Sequence, residues 1–420
     1  MTLAVTVAAA ASAIRTWDAI QTSWPDAATQ ILADIGRLSG QRKSLRRATR
    51  EPHFVLTQET AISYLLRRGD LTLAELVESE VNVFDASRRN GNFLVERRSG
   101  DALLLKQARA PNASRTVASE ALIYRAFQAL PASHPLRRHT VPFLEYDDDE
   151  RVLLLRCVAD ARTLAAHQSR GRIPVRPATQ LGHALGALHN LELGSSPMRD
   201  LAEQLPRRLP DAFFVHRPDH AVYCNASRGN LQAVRIMQSF PAFGALIDAQ
   251  RKEWRPTCLI HFDVKGDNIL LAGKGGAGSS WLIDWELAGL GDPAWDVGAM
   301  FADYLGVWLW SIPITGEHPP AHYLSLARVP LARLQPALRA FWRSYRLARG
   351  LTGRAAAEFL LSATRFSAVR LIQRVHEQTR DLAELFANSI CQLQLSWNIL
   401  REPEPACVQL LHLDLIASGG

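Results

Sequence analysis

Lysine is scarce in this sequence. Of 48 basic side chains only five are lysines, at positions 43, 106, 252, 265 and 274, and arginine supplies the rest. Cysteine is sparse too. The five residues, at 157, 224, 258, 391 and 407, are odd in number and far apart, which excludes a disulfide-built scaffold. Long apolar runs are missing. The longest, residues 297–314, holds Asp303 within it and Pro313 near its end, so it reads as a buried helix and no membrane association is expected. Residues 1–14 are apolar but have no basic residue ahead of them, which argues against export and for a cytoplasmic protein. There is no Walker A loop, because Gly273-Lys274-Gly275-Gly276 pairs glycine with lysine at the wrong spacing. Zinc is not expected either, since Pro218 interrupts His216, His220 and Cys224 and no fourth ligand follows.

What is present is an ordinary globular composition. The 420 residues are 47% hydrophobic and carry a net charge of +7, enough to bury a large core and too apolar for a disordered chain. The basic balance suits an anionic ligand, but no stacking motif or recognition module accompanies it, so nucleic acid is not expected as a partner. Residues 1–80 read as a helical extension containing the basic run 42–47. Within it, residues 57–68 form an amphipathic helix, with Thr57 and Glu59 one residue short of a capping box. From Val81 the period changes to two. Strands are expected at 81–84, 93–96 and 102–105, with turns at 89–92 and 98–101, then a helix at 115–130 and strands at 141–146 and 151–156. After Val158 the pattern is mainly helical, broken by one β pair around 268–284. The fold class is therefore α+β, with a small antiparallel sheet and one helix over 81–158 and a large helical part over 159–420.

The chemistry concentrates between residues 259 and 284. Asp263 and Asn268 share one loop, and the strand after Asn268 pairs back with the strand that delivers Asp284. A carboxylate, an amide oxygen and a second carboxylate thus meet at one end of a hairpin. Asn268 and Asp284 are hard oxygen ligands suited to Mg²⁺. Asp263 is left to accept a hydroxyl proton or orient a nucleophile, as phosphoryl transfer requires.

The pattern His261-x-Asp263-x4-Asn268, with Asp284 sixteen residues later, resembles the catalytic and metal-binding loops of kinases with the bilobed protein-kinase-like fold. The variant is most similar to the aminoglycoside phosphotransferase and choline kinase branch. Three further segments support this: Leu181-Gly182-x-Ala184-Leu185-Gly186-x-Leu188-His189, Asp284-Trp285-Glu286, and Gly291-Asp292-Pro293-Ala294-Trp295-Asp296-Val297-Gly298. The resemblance implies ATP and Mg²⁺ as cofactors, a catalytic Asp263, and an aspartate of the 291–298 segment as a brace of the loop, while His261 is read as structural, holding the loop by a ring hydrogen bond. It also implies that Lys106, ending the third strand, binds the nucleotide phosphates and pairs with Glu120 on the helix. A guanidinium could not present so compact a charge there. Lys265 would neutralise charge on the transferred phosphoryl, or else pair with Asp267 or Glu286. The nucleotide loop departs from the protein-kinase pattern, holding one glycine. Backbone amides near Ser87, Asn90, Gly91 and Asn92, with Arg88 or Arg89, are its phosphate contacts. Backbone groups of Arg156, Cys157 and Val158 would bind adenine, with Cys157 a buried apolar side chain.

For the acceptor, net positive charge tilts away from a cationic sugar and toward a neutral or anionic molecule. Residues 301–313, with Thr315-Gly316 and Pro319-Pro320, resemble the kinases of class V lanthipeptide and thioamitide biosynthesis. That resemblance implies a Ser or Thr of a precursor peptide as acceptor, a partner lyase that eliminates the phosphate, and a role for residues 1–80 in binding either. A small hydroxylated metabolite or antibiotic is the alternative acceptor. A pseudokinase scaffold is the alternative function, opposed by the full set Lys106, Glu120, Asp263, Asn268 and Asp284.

Overall fold

The computed structural model describes residues 54–415 except 79–80, 88–89, 98–101, 110–113, 196–197, 274–275, 277 and 315–319. The basic run 42–47, Lys43, Arg88, Arg89, the turn at 98–101, Lys274 and the Thr315–Pro319 segment therefore lie outside the described residues. Helix α1 (Gln58–Arg68) starts at a capping box, but its partner is not Glu59. Thr60 N–H donates to Thr57 Oγ1 at 3.2 Å and Thr57 N–H to Thr60 Oγ1 at 2.7 Å. Glu59 instead accepts the Thr57 hydroxyl. The threonine at the third helical position has the right reach, which Glu59 lacks.

Five strands follow: β1 (Val81–Asp85), β2 (Gly91–Arg97), β3 (Ala102–Gln107), β4 (Phe143–Asp147) and β5 (Val152–Arg156), with α2 (Ser114–Ala129) between β3 and β4. They form one antiparallel sheet in the order β1-β2-β3-β5-β4. The alternation of β3 sorts its two faces. Leu103 and Leu105 join Ala61, Tyr64 and Leu65 of α1 in a small core. Leu104 and Lys106 therefore face the other way, with Asn92 beside Lys106 on β2 and Leu153 beside it on β5. The lone ammonium of this sheet is thus set on the face turned toward α2. A short extra helix, Pro135–His139, was not expected.

The second lobe is mainly helical. Helix α3 (Val175–His189) carries the apolar stripe Leu181, Ala184, Leu185 and Leu188, all buried. It lies against α5 (Leu331–Arg349), because two glycines let the backbones touch. A Cβ at Gly182 would stand 2.3 Å from the Phe341 carbonyl oxygen, and one at Gly186 would stand 2.5 Å from Ala348 Cβ. Helix α4 (Pro293–Trp310) lies between them and α6 (Gly353–Gln378) and is buried along almost its whole length, as its apolar run foretold. Among the described residues no helix is long and apolar enough to cross a membrane. The β content of this lobe exceeds the single expected pair. Strands β6 (Ile269–Leu271) and β7 (Ser280–Leu282) pair with Ile269 opposite Leu282, and Arg162–Thr163 adds a third strand beside β6. Cys258–Ile260 and Gly289–Gly291 form a second ribbon. Three-residue strands are too short to display a period of two, so the sequence hides them.

Gly182→Val should lower stability by about 1–3 kcal/mol through overpacking. Gly194→Val, where a Cβ meets nothing within 4 Å, should stay within about 0.5 kcal/mol. Urea unfolding of both variants measures the difference.

Candidate active site

Asp263 is held by a backbone that is itself clamped. The Asp296 carboxylate, fully buried, accepts the amides of His261 (2.7 Å) and Phe262 (3.0 Å). Trp295 Nε1–H donates to the Phe262 carbonyl at 3.0 Å. Phe262 adopts φ +68° between these grips, a left-handed conformation rare for an aromatic residue. The His261 ring accepts the Asp263 amide on Nδ1 (3.3 Å) and donates from Nε2 to the Ile283 carbonyl (3.0 Å). That second bond ties the Asp263 loop to the strand leading into Asp284.

Asp263 makes four polar contacts. Lys265 Nζ lies 2.6 Å from Oδ2 and Arg370 Nη2 lies 3.3 Å from Oδ1. Asn268 Nδ2–H donates to Oδ2 at 3.1 Å and to the Asp263 carbonyl at 2.9 Å. Lys265 thus pairs with neither Asp267 nor Glu286 but with Asp263 itself. Arg370, from α6, was invisible in the sequence: nothing distinguishes it from the other arginines of that helix. Burial pushes the Asp263 carboxyl upward, but Arg370 and Lys265 outweigh it and hold it at about 2.

Asn268 Nδ2 is engaged by two Asp263 oxygens, and the residue lines the cleft between the lobes. Ile283 N–H donates to the Asn268 carbonyl at 3.0 Å, which keeps Asp284 at the same end of the hairpin. Asp284 sits at φ +66° and its carboxylate reaches Lys106 Nζ at 2.6 Å. Lys106 also contacts Glu120 at 2.7 Å and Glu286 at 3.1 Å. Burial alone would depress the Lys106 ammonium, and the three carboxylates reverse this and raise it. Burial pushes Glu120 up to about 7 even beside Lys106, with Asp284 and Glu286 adding to the effect. Ligand oxygens of Glu120, Asp284 and Glu286 fall within 4.8 Å of one another. One ammonium among three carboxylates leaves surplus negative charge in a cleft that Asn268 also lines, an oxygen-rich donor set that fits a divalent cation.

A cleft of about 690 Å³ opens between the lobes, lined by Lys106, Glu120, Asn268 and Asp284 at one end. Arg156, Cys157 and Val158 line its far wall, with Leu104, Leu155, Leu270 and Ile283 as apolar sides. Cys157 is half-buried, and its amide is already donated to the Ala102 carbonyl at 2.8 Å. That bond takes one of the backbone groups expected to face adenine. The nucleotide loop also differs from expectation. Ser87 N–H is donated to Asp85 Oδ1 and Asn92 N–H to Ser87 Oγ, so these amides are closed off. Of the loop, Asn92 lines the cleft, and Ser87, Asn90 and Gly91 do not. Asn90 is buried and donates its side-chain amide to Glu286 at 2.7 Å, a contact across the lobes that no local pattern announces.

Arg370→Gln should move the acid limb of kcat/KM upward. With Asp263 at about 2, wild-type activity keeps that limb below the ordinary carboxylate range. Removing Arg370 takes away the largest charge opposing burial and leaves Lys265 as the remaining counterweight, so the limb should rise toward the ordinary carboxylate range. The folded-state depression also contributes stability that is present above pH 3.8 and lost as pH falls through about 2, so the variant should lose this increment. A pH–rate profile unchanged by the substitution would refute the coupling.

The family model described as the phosphotransferase enzyme family matches residues 80–360. No curated protein matches the chain. Among solved structures it is similar to a macrolide 2'-phosphotransferase type I, at 16% identity and TM-score 0.46, covering 82% of this chain and 98% of that one. A choline/ethanolamine kinase family protein from Mesorhizobium loti gives 16% identity and TM-score 0.43 over 83% and 96% of the two chains. An aminoglycoside 2'-phosphotransferase-IIIa gives 14% and 0.43 over 83% and 98%. Enzymes of the matched family are kinases that act on hydroxyl groups and bind nucleotide, and the two-lobed architecture is the protein-kinase-like fold. This chain belongs to the phosphotransferase enzyme family.

Proposed function

We propose that the protein moves the γ-phosphoryl of ATP to an acceptor hydroxyl, with Asp263 as the residue that orients that hydroxyl and takes its proton. One observation carries this reading. Asp263 touches Asn268, which lines the interlobe cleft, and also Lys265 and Arg370, which line a second cleft. A group so placed stands between a nucleotide on one side and an acceptor on the other.

In this reading Lys106, positioned by Glu120, holds the nucleotide phosphates. Val158 and the apolar walls receive the base. Asn268 and Asp284 hold Mg²⁺, which when bound neutralises charge on the phosphate oxygens. Lys265 and Arg370 face charge that develops on the transferred group. The acceptor oxygen bonds to the γ-phosphorus as the bond from that phosphorus to the ADP oxygen breaks, and the hydroxyl proton passes to Asp263. Because the transition state of such transfers is loose, orientation matters more than basicity, which suits a carboxylate of low pKa.

The acceptor we favour is a Ser or Thr hydroxyl of a peptide. The basic second cleft and the likeness of residues 301–313 to precursor-peptide kinases support it, with a lyase as downstream partner. Family membership favours the second reading, a small hydroxylated molecule.

Asp263→Ala should reduce turnover by roughly 10²–10⁴-fold while nucleotide affinity persists. Asp284→Asn should instead raise the Mg²⁺ concentration needed for half-maximal activity. Mass spectrometry of phosphate adducts, with calorimetry of nucleotide binding, separates the two effects. Normal turnover in Asp263→Ala would remove the assignment, and a peptide panel run beside small hydroxylated compounds decides the acceptor.

A further inference from the structure

The second cleft, of about 680 Å³, carries more positive charge than the transferred phosphoryl alone requires. Six cationic side chains line it: Arg170, Lys265, Arg328, Arg333, Arg370 and Arg374. The carboxylates on its wall are Asp267, Asp303 and Glu377. Even with Asp263 added, cations outnumber anions.

The balance at each group sharpens the point. Asp303 is 4% exposed and accepts Arg374 at 2.7 Å, the Gly266 amide at 3.1 Å and Gln168 at 3.0 Å. Its charge is therefore compensated inside the wall, where it braces the loop that carries Asp263. Lys265 and Arg370 answer Asp263. Arg170, Arg328 and Arg333 remain. Among the described residues none of them has a carboxylate within ion-pair distance, and Arg333 donates only to the Gly171 carbonyl.

Buried donors in the same wall are left without acceptors. Arg370 is 1% exposed, and its Nε and Nη1 have no partner. Arg374 Nε is also buried and unpartnered. Its guanidinium fits only because residue 306 is glycine, where a Cβ would stand 2.9 Å from Arg374 Cζ. A planar cation with unanswered N–H groups is matched by carboxylate or phosphate oxygens, which accept such bonds at about twice the strength of neutral acceptors. Stabilising the transferred phosphoryl accounts for Lys265 and Arg370, but not for the three further arginines.

We propose that this cleft receives an acceptor that carries a carboxylate or phosphate as well as its hydroxyl, with Arg328 and Arg333 holding the anionic group while the hydroxyl meets Asp263. This rests on the kinase reading above. The anionic group comes either from acidic residues flanking a peptide Ser or from a small hydroxy acid. Both sources share the chemistry.

The test uses the full chain with Mg²⁺-ATP and two pairs of probes at equal ionic strength. Acetyl-Glu-Ser-Glu-amide against acetyl-Lys-Ser-Lys-amide forms the peptide pair, and D-glycerate against choline forms the small-molecule pair. Phenylglyoxal labelling of Arg328 and Arg333, mapped by mass spectrometry, reads occupancy without needing turnover. An anionic probe should reduce labelling at both positions several-fold and its cationic counterpart should not, and whichever pair responds identifies the source. The double variant R328Q/R333Q should lose about tenfold or more in kcat/KM for the protecting probe, whereas R354Q, at an exposed pair with Glu358, should not. Equal or better protection by choline or the lysine peptide overturns the proposal, as does absence of protection by both anions. Calorimetry of Mg²⁺-ATP tests the underlying reading separately, since failed nucleotide binding would remove the kinase assignment whatever the arginines do.

Discussion

The site depends on a single buried carboxylate. Asp296 lies in the first turn of α4, whose start is fixed by Pro293 and by Asp292 as cap. It accepts two consecutive backbone amides, and His189 Nε2–H donates to it at 3.3 Å. A carboxylate removed from water needs such donors, and here they come from the loop that carries Asp263 and from α3. Phe262 is the consequence. Its left-handed backbone costs on the order of 1–3 kcal/mol, and the paired grips of Asp296 and Trp295 on its two peptide groups sustain it. The turn at Phe262 is what aims Asp263. His189 extends the chain of dependence to helix packing. Burial lowers its pKa despite Asp296, so it is neutral, with Nδ1 accepting the Tyr345 hydroxyl at 2.9 Å. Tyr345 comes from α5, which packs closely on α3 at Gly182 and Gly186. The two glycines therefore act on Asp263 through four intervening contacts.

Lys106 plays the matching part between the lobes. Its ammonium meets three carboxylates from β3's surroundings and from the far lobe, at 2.6 to 3.1 Å. A compact charge with donors in three directions reaches partners on separate sides, whereas a guanidinium confines its donors to one plane. This explains why an arginine-rich chain retains lysine there. The same cluster, with Glu120 pushed up to about 7, is over-supplied with negative charge. A bound cation would relieve it, and phosphate groups would then compete with the carboxylates for Lys106. The Asn90–Glu286 bond joins the loop before β2 to this cluster across the lobes.

Legibility in the sequence followed the range of the interaction. The five strands and the intervening helix were readable because hydrophobic period and turn residues are local signals. The Asp263, Asn268 and Asp284 set was readable because one hairpin carries all three. Arg370 was not, being 107 positions from Asp263 and one arginine among many. The short ribbon of Cys258–Ile260 and Gly289–Gly291 was missed because three residues do not establish a period. The nucleotide loop differs from its expected form for another reason. Ser87 and Asn92 look like free phosphate donors in sequence, but Asp85 and Ser87 side chains capture their amides first, as short polar side chains do in turns.

Asp263 at about 2 is a weak base, and if it orients the acceptor as proposed, that weakness constrains how the reaction selects its acceptor. Both of its oxygens are shared, Oδ2 with Lys265 and Asn268 and Oδ1 with Arg370. Its rotamer is therefore fixed and its affinity for a proton is low. A loose transfer leaves the acceptor proton in place until late, so strong basicity has little to contribute and fixed direction has much. A carboxylate that directs without pulling treats most alcohols alike. Discrimination among hydroxyl compounds must then come from what grips the rest of the acceptor. In the proposed reading that grip is the arginine-lined wall extending from Lys265 and Arg370 to Arg328 and Arg333.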